Sequence, residues 1–220
     1  MVSLPNLEEM RRIQRELAAK VILEDDYRKP IISVVGIDLA FLDDIAFTAC
    51  VTTDYTTLET KTVKIYTARL NFPYIPTLLF FREGPPIVEI INSTEPKANI
   101  FLINAQGIAH PEFFGCASHI GVLANVPTIG VTSRRLCGDY EREPRELGEA
   151  VPMRCGGRDV GWVVKSKAEC RPIFVSPGHR VSLDSSIEIV MKCIKNHKLP
   201  EPLHLAHLEA NREKRKHLRG

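Results

Sequence analysis

Net charge is almost absent from this chain. Twenty-nine Lys and Arg stand against 27 Asp and Glu, leaving +2 at pH 7. A polyanionic partner is therefore not met by the field of the whole molecule and must be met by local patches. Long apolar runs are missing too. No stretch of 18 apolar residues occurs, which excludes a helical membrane span. The six cysteines, Cys50, Cys116, Cys137, Cys155, Cys170 and Cys193, are scattered and never form Cys-x-x-Cys. That spacing argues against a zinc ribbon and against a small disulfide framework. It predicts reduced thiols in an intracellular, cytoplasmic protein. Cys116 and His119 have a ligand-like spacing, but no second pair completes a site, and packing is the expected role of both. Asn6 to Glu9 is polar and acidic and lacks the form of a secretory leader. There is no internal repeat, low-complexity tract or linker.

What is present is ordinary globular chain. The 220 residues are 44% apolar and 25% charged, which predicts one domain over 1–220 with enough chain for a sizeable core. Asn6 can cap a first helix, with Glu9 completing a capping box and Leu7, Met10, Ile13, Leu17 and Val21 at helical spacing. Ile31 to Leu39, Ile45 to Thr53 and Thr60 to Leu70 read as three strands on short links, an antiparallel meander. Ile87 to Asn92 reads as a short helix and Ala98 to Ile103 as a buried strand. Phe113 to Leu123 reads as a helix and Thr128 to Val131 as a further strand. Arg134 to Gly148 is a polar surface excursion. Met153 to Lys165 suits a hairpin turning near Gly156-Gly157, and Pro172 to Ser176 a last strand. Ser182 can cap a helix running to about Lys195. A basic C-terminal helix or tail is expected over about 203–220. The alternation of strands and helices makes this an α/β chain.

The stretch Asn71 to Gly84 stands out. Pro73-Tyr74-Ile75-Pro76 is stiff, because each proline fixes its own φ and holds the preceding residue extended. Leu78 to Phe81 follow, then Arg82-Glu83. A carboxylate straight after an apolar run is either a helix-end charge or an ionised group aimed into a site. Asp38, between Ile37 and Leu39, is costly to bury unless it is paired or holds a cation. The loop after Ile103, beginning at Asn104, ends a buried strand with small polar residues, where α/β sheets place functional groups. His179 follows another strand. Convergence of Asp38, Glu83, the Asn104 loop and His179 would make a hard-oxygen site suited to magnesium, with His179 assisting the water or shuttling a proton.

Five motifs in order carry a resemblance over roughly Leu7 to Ala206. They are Val35-Gly36-Ile37-Asp38-Leu39; Pro73-Tyr74-Ile75-Pro76 with Phe81-Arg82-Glu83-Gly84; Gly107-Ile108-Ala109-His110-Pro111; Pro127-Thr128-Ile129-Gly130-Val131; and Gly178-His179-Arg180. In combination they resemble the endonuclease V family, nucleases acting on inosine, the deamination product of adenosine. The resemblance implies a ribonuclease H-like fold, a central mixed β-sheet flanked by helices. It implies hydrolysis, dependent on Mg2+ with Mn2+ able to substitute, of the second phosphodiester bond 3′ to inosine in DNA or RNA, as a repair activity. It assigns Asp38, Glu83 and Asn104 to the metal and to catalysis, with His179 assisting. It assigns Pro73, Tyr74, Ile75 and Pro76 to a wedge that parts the strand. It places hypoxanthine, read as a flipped base, near Leu79, Ala105, Gly115, Cys116 and Leu136. His110, Ser133 and Arg134 are implied phosphate contacts. A monomer is expected.

Two departures qualify the resemblance. The family reads Asp-Gly-x-Gly where this chain has Asn104-Ala105-Gln106-Gly107, so the third carboxylate is an amide. That predicts weaker magnesium binding and slowed cleavage with strand binding retained, because base and phosphate contacts are separate. The family also commonly has lysine at the place of Ser133, a charge that Arg134 or Arg135 can replace. Three readings follow: a metal-dependent inosine endonuclease, an inosine-binding protein disabled by Asn104, and a ribonuclease H-like protein with another substrate. The Pro-Tyr-Ile-Pro wedge speaks against the third.

Overall fold

The computed structural model describes residues 6–94 and 98–219; residues 1–5, 95–97 and 220 of the predicted 1–220 unit lie outside that description. One eight-stranded mixed sheet organises these residues, in the order β3-β2-β1-β4-β5-β8-β7-β6. The meander is β1 (Ser33–Leu42), β2 (Ile45–Asp54) and β3 (Thr60–Arg69), paired antiparallel. β4 (Ile100–Ile103) and β5 (Thr128–Thr132) extend it in parallel with β1. β6 (Ala150–Cys155), β7 (Arg158–Val164) and β8 (Ile173–His179) close the other side antiparallel. Short β4 is wholly buried, as a central strand covered on both faces must be.

Helices cover both faces. α1 (Leu7–Ala18) starts at Asn6, whose side chain accepts from Glu9 N, as the capping reading expects. α2 (Leu79–Asn92) and α3 (Cys116–Ala124) bury Phe80, Ile87, Ile90, Ile91, Ala117 and Ile120 against Val35, Ile37, Phe101 and Ile103. α4 (Leu183–Lys192), capped by Ser182, and α5 (Glu201–His217) take the opposite face. α5 seats Leu203, Ala206 and Ala210 against the sheet, with Ala206 and Ala210 beside Ala40, Ala49 and Val51.

α2 corrects the sequence reading. It is one helix over Leu79–Asn92, with Pro85 and Pro86 inside it, where a wedge segment followed by a short helix was expected. Each interior proline costs about 3 kcal/mol. Burying Phe80, Ile87, Ile90 and Ile91 on one face returns about 1.5–3 kcal/mol per side chain, so packing wins. α3 starts at Cys116 rather than at Phe113, and α4 ends at Lys192 rather than near Lys195. The last strand runs on to His179, so Pro177-Gly178-His179 is strand, not turn.

Candidate active site

Parallel pairing of β1 with β4 builds the centre of the site. The last paired residues are Ile37 and Ile103. Past them β4 ends while β1 continues to Leu42, which leaves a notch beside Asp38. Asn104 turns out of the sheet there, its backbone N–H donating to Ile37 O at 3.2 Å. Its side-chain Nδ2–H donates to Asp38 Oδ1 at 2.8 Å. Asp38 itself is buried.

α5 closes the notch from one face. Gly36 makes this approach possible: a Cβ there would lie 2.1 Å from the carbonyl carbon and oxygen of Pro202. With the helix start pressed onto β1, His207 reaches Asp38. Its Nδ1 lies 2.8 Å from Asp38 Oδ2. A carboxylate oxygen accepts, so Nδ1–H donates to Asp38 Oδ2. Asn211, one turn on, lies against the imidazole, its Nδ2 3.3 Å from Nε2 and 3.5 Å from Nδ1, and donates to His207 O at 2.8 Å.

Glu83 comes from α2 on the opposite face. It has no hydrogen-bond or ion-pair partner among the described residues. Burial, and then the nearby Asp38 charge, push its pKa up to about 7. Two carboxylates within electrostatic reach, one starved of donors, form a donor set that a hard divalent cation would relieve. Among the described residues no three His, Cys, Asp or Glu side chains make a ready metal centre. Asn104 stands where a third carboxylate would be needed.

The predicted residues thus divide. Asp38, Asn104 and Glu83 come together. His179 does not. It pairs with Thr128, which pairs with Phe101, which pairs with Val35. That puts it three strands away and at the other end of the parallel strands, roughly 14 Å across the sheet by strand spacing alone. Its ring is buried, and Nδ1 accepts from Ile22 N at 3.3 Å. The histidine at the carboxylates is His207, which the sequence reading missed. The signal was there: His207 is four residues past Leu203 and three before Ala210, at the edge of the stripe that α5 buries, with its own side chain 52% exposed.

Pro73-Tyr74-Ile75-Pro76 projects as expected, with Tyr74 67% exposed. Its base is braced. Thr77, at φ 69°, ends the loop in the left-handed region, unusual for a β-branched residue. Its carbonyl accepts from Gln14 Nε2 at 2.9 Å and lies 3.0 Å from His110 Nε2. His110 Nδ1 accepts from Glu112 N at 3.1 Å. With its ring buried and both nitrogens engaged, His110 braces the loop at Thr77 and is turned away from solvent, not placed to meet a phosphate. Ser133 and Arg134 are exposed. Gln106 ties their loop to the site, donating Nε2–H to Thr132 Oγ1 at 3.0 Å and Arg134 O at 2.9 Å.

Of the expected base pocket, Leu79, Ala105 and Cys116 share one apolar cluster. Gly115 caps α3 from close against the backbone: a Cβ would sit 2.4 Å from Gln106 O. Leu136 is exposed and lies outside that cluster. The Cys116 thiol is pushed well up by burial, and His119 stacks on Phe80 at 3.4 Å between ring centroids, so this pair packs.

Known proteins share this sequence pattern and this fold. The endonuclease V family model matches residues 15–208, a span that takes in His207. Endonuclease V of Dictyoglomus thermophilum is 39% identical over 201 residues, 91% of this chain and 88% of that protein. The crystal structure of the Streptomyces avermitilis endonuclease V superposes with a TM-score of 0.89 at 32% identity, covering 99% of this chain and 97% of that one. Endonuclease V of Ciona intestinalis, solved with a 24mer DNA containing an inosine followed by a ribo-adenosine, gives a TM-score of 0.83 at 25% identity, covering 96% and 98%. A match over most of the chain, in sequence and in fold alike, means that this chain belongs to the endonuclease V family.

Proposed function

We propose that this chain is a divalent-metal-dependent endonuclease that recognises inosine in DNA or RNA and hydrolyses the second phosphodiester bond on its 3′ side. Mg2+ is the proposed metal, with Mn2+ able to substitute. The observation that supports this most is the meeting of Asp38, Asn104 and Glu83 at the notch beyond Ile37, from three separate elements. Asp38 and Glu83 would hold the ion, with the Asn104 amide turned to offer its oxygen. A bound divalent ion supplies an activated water and neutralises charge on the leaving oxygen.

The remaining roles fall to the chain. His207 is a positioning residue: Nδ1–H fixes Asp38 Oδ2, and Asn211 fixes His207. Tyr74, on its braced loop, parts the strand. Leu79, Ala105, Gly115 and Cys116 line the base pocket, and Ser133 and Arg134 meet phosphate. The inosine-containing DNA in the Ciona relative supports the substrate class.

One observation favours a second reading, an inosine-binding protein without turnover. The Asn104 amide spends its N–H on an Asp38 oxygen that a metal would use, and it brings no charge of its own. The test is cleavage of an inosine-containing oligonucleotide in magnesium by this chain and by Asn104→Asp, side by side. Slow cleavage by the chain and faster cleavage by Asn104→Asp is expected. Binding without any cleavage by the chain establishes the second reading. Neither binding nor cleavage by either protein removes both.

A further inference from the structure

A cleft of about 530 Å3 opens beyond Ser133 and Arg134, and neither the metal site nor the base pocket uses it. Arg134, Arg135, Lys165 and Arg171 line it, with Tyr140 and Phe174 as its aromatic part and Glu143 as its one acid. Four cations stand against Glu143 and, just outside the lining, Asp139, which pairs with Arg135; a local excess of positive charge remains in a chain of net charge +2. Glu143 is engaged too, since Tyr140 O–H donates to its Oε1 at 2.7 Å. Arg134 and Arg171 have no carboxylate partner among the described residues, and both are exposed. The Arg135 guanidinium carbon lies 5.5 Å from the Tyr140 ring centroid, while its Nη1 donates to Gly138 O and Asp139 Oδ1. Lys165 is pinned by a 2.9 Å bond from Nζ to Cys170 O. Two of the cations are thus preset, and two are free to meet an anion.

Topology puts this cleft in line with the notch. β5 leaves the sheet at Thr132, opposite Phe174 of β8, which pairs with Val163 of β7. Asp38, Asn104, Ser133, Pro172 and Lys165 therefore stand along one edge of the sheet, on or just beyond β1, β4, β5, β8 and β7 in turn. Four strand spacings make that edge roughly 19 Å long. At about 3.4 Å per base step this spans up to about six nucleotides.

We infer that the cleft is a second strand site, which holds the backbone phosphates of the nucleic-acid strand flanking the lesion several nucleotides from the notch. Arg134 and Arg171 meet the phosphates, and the Tyr140 face accepts a splayed base or the sugar edge, as in single-strand grooves that pair cations with aromatic rings. The inference rests on the proposed function for its substrate, and its test separates the two.

The experiment measures Kd by fluorescence anisotropy for the full chain, Arg171→Ala and Arg171→Glu. The probes are single-stranded DNAs with one inosine, or adenosine in its place, and flanks of about 3 or about 12 nucleotides, below and above the span of the edge. Arg171→Glu is expected to weaken long-flank binding about tenfold and to reduce the salt slope by about one. Short-flank affinity and the preference for inosine stay at wild-type values. Arg171→Ala shows the same pattern with a smaller loss. Wild-type affinity of both variants for the long strand overturns the inference. Equal losses on short and long strands also overturn it, because the contact would then lie beside the lesion. If the wild-type chain shows no inosine preference while Arg171→Glu still loses long-strand affinity, the cleft stands and the proposed substrate falls.

Discussion

The two ends of the parallel strands are built on opposite principles. At the end where β1, β4 and β5 begin, polar groups are spent on one another. Asn99 Oδ1 accepts from Ile32 N and Ser33 N, and its Nδ2–H donates to Arg28 O. Asp25 accepts from Ser182 N and Ser185 Oγ, which ties the segment after α1 to the start of α4. His179 is enclosed there, accepting from Ile22 N. At the end where these strands finish, Glu83 has no donor among the described residues beside Asp38, and Tyr74 and Arg134 face solvent. Uncompensated charge destabilises a fold, so it persists where binding a ligand offsets it. His179 at one end accepts a backbone N–H inside the fold, whereas His207 at the other is half-exposed and turned to the Asp38 carboxylate.

The comparison breaks first at the carboxylates. Asp38→Ala or Glu83→Ala is expected to lower cleavage by about 1000-fold, on the scale of removing a group that stabilises developing charge. Inosine binding, measured by anisotropy, stays close to wild type. Loss of binding in either variant would show that recognition and chemistry share these groups. Next come the two histidines. His207→Ala should cut cleavage about 10- to 100-fold, as expected when the partner of a metal-holding carboxylate is lost, with little change in thermal stability. His179→Ala should do the reverse, costing about 1–3 kcal/mol in denaturant unfolding through loss of a buried ring and of its bond to Ile22 N, while cleavage per folded molecule holds. Similar kinetic losses from both would erase the distinction between the two ends.

Tyr74→Ala tests the wedge. Discrimination between inosine and adenosine strands should fall several-fold, on the order of one lost aromatic–base contact, with affinity for undamaged strands little changed. Equal loss on both strands would leave Tyr74 as a general contact.

The smallest effect is the most diagnostic, because the two ends should respond to pH with opposite sign. Glu83 has its folded pKa raised from 4.5 to about 7, by burial first and then by Asp38. Between those values the folded chain holds more protons than the unfolded one, so metal-free stability falls as pH rises through that window. Glu83→Gln should flatten the slope, and added magnesium should oppose it by binding only the folded form. Burial works to raise the pKa of Asp25, but bonds from Ser185 and Ser182 outweigh it and hold the carboxyl well below its usual 3.8. There the unfolded chain binds more protons, and stability is lost as pH falls below that value. Asp25→Asn should remove this acid loss. Chemical denaturation across pH 2–8 reads both slopes, and slopes of the same sign would contradict the contrast.

Much of the fold was legible because its signals are local. β-branched runs marked β1, β2 and β4 to within three residues, and Asn6 and Ser182 announced the starts of α1 and α4. Asp38 stood out because an acid inside an apolar strand needs a partner. α2 was misread because Gly84-Pro85-Pro86 is a breaker at short range, and only burial against β1 and β4 overrides it. His179 was chosen for a strand-end turn, but the strand runs on through it, and nothing local says which end of the sheet that strand reaches.

The sequence by itself determined the family, most of the strand and helix segments and the projecting Tyr74 loop, since each depends on neighbours in the chain. Tertiary structure decided which histidine serves the carboxylates. Asp38 and His207 are 169 positions apart. Their 2.8 Å contact exists because Gly36, having no side chain, lets α5 lie directly on β1. No periodicity in the chain encodes that approach; it follows only when the sheet and the last helix are packed together.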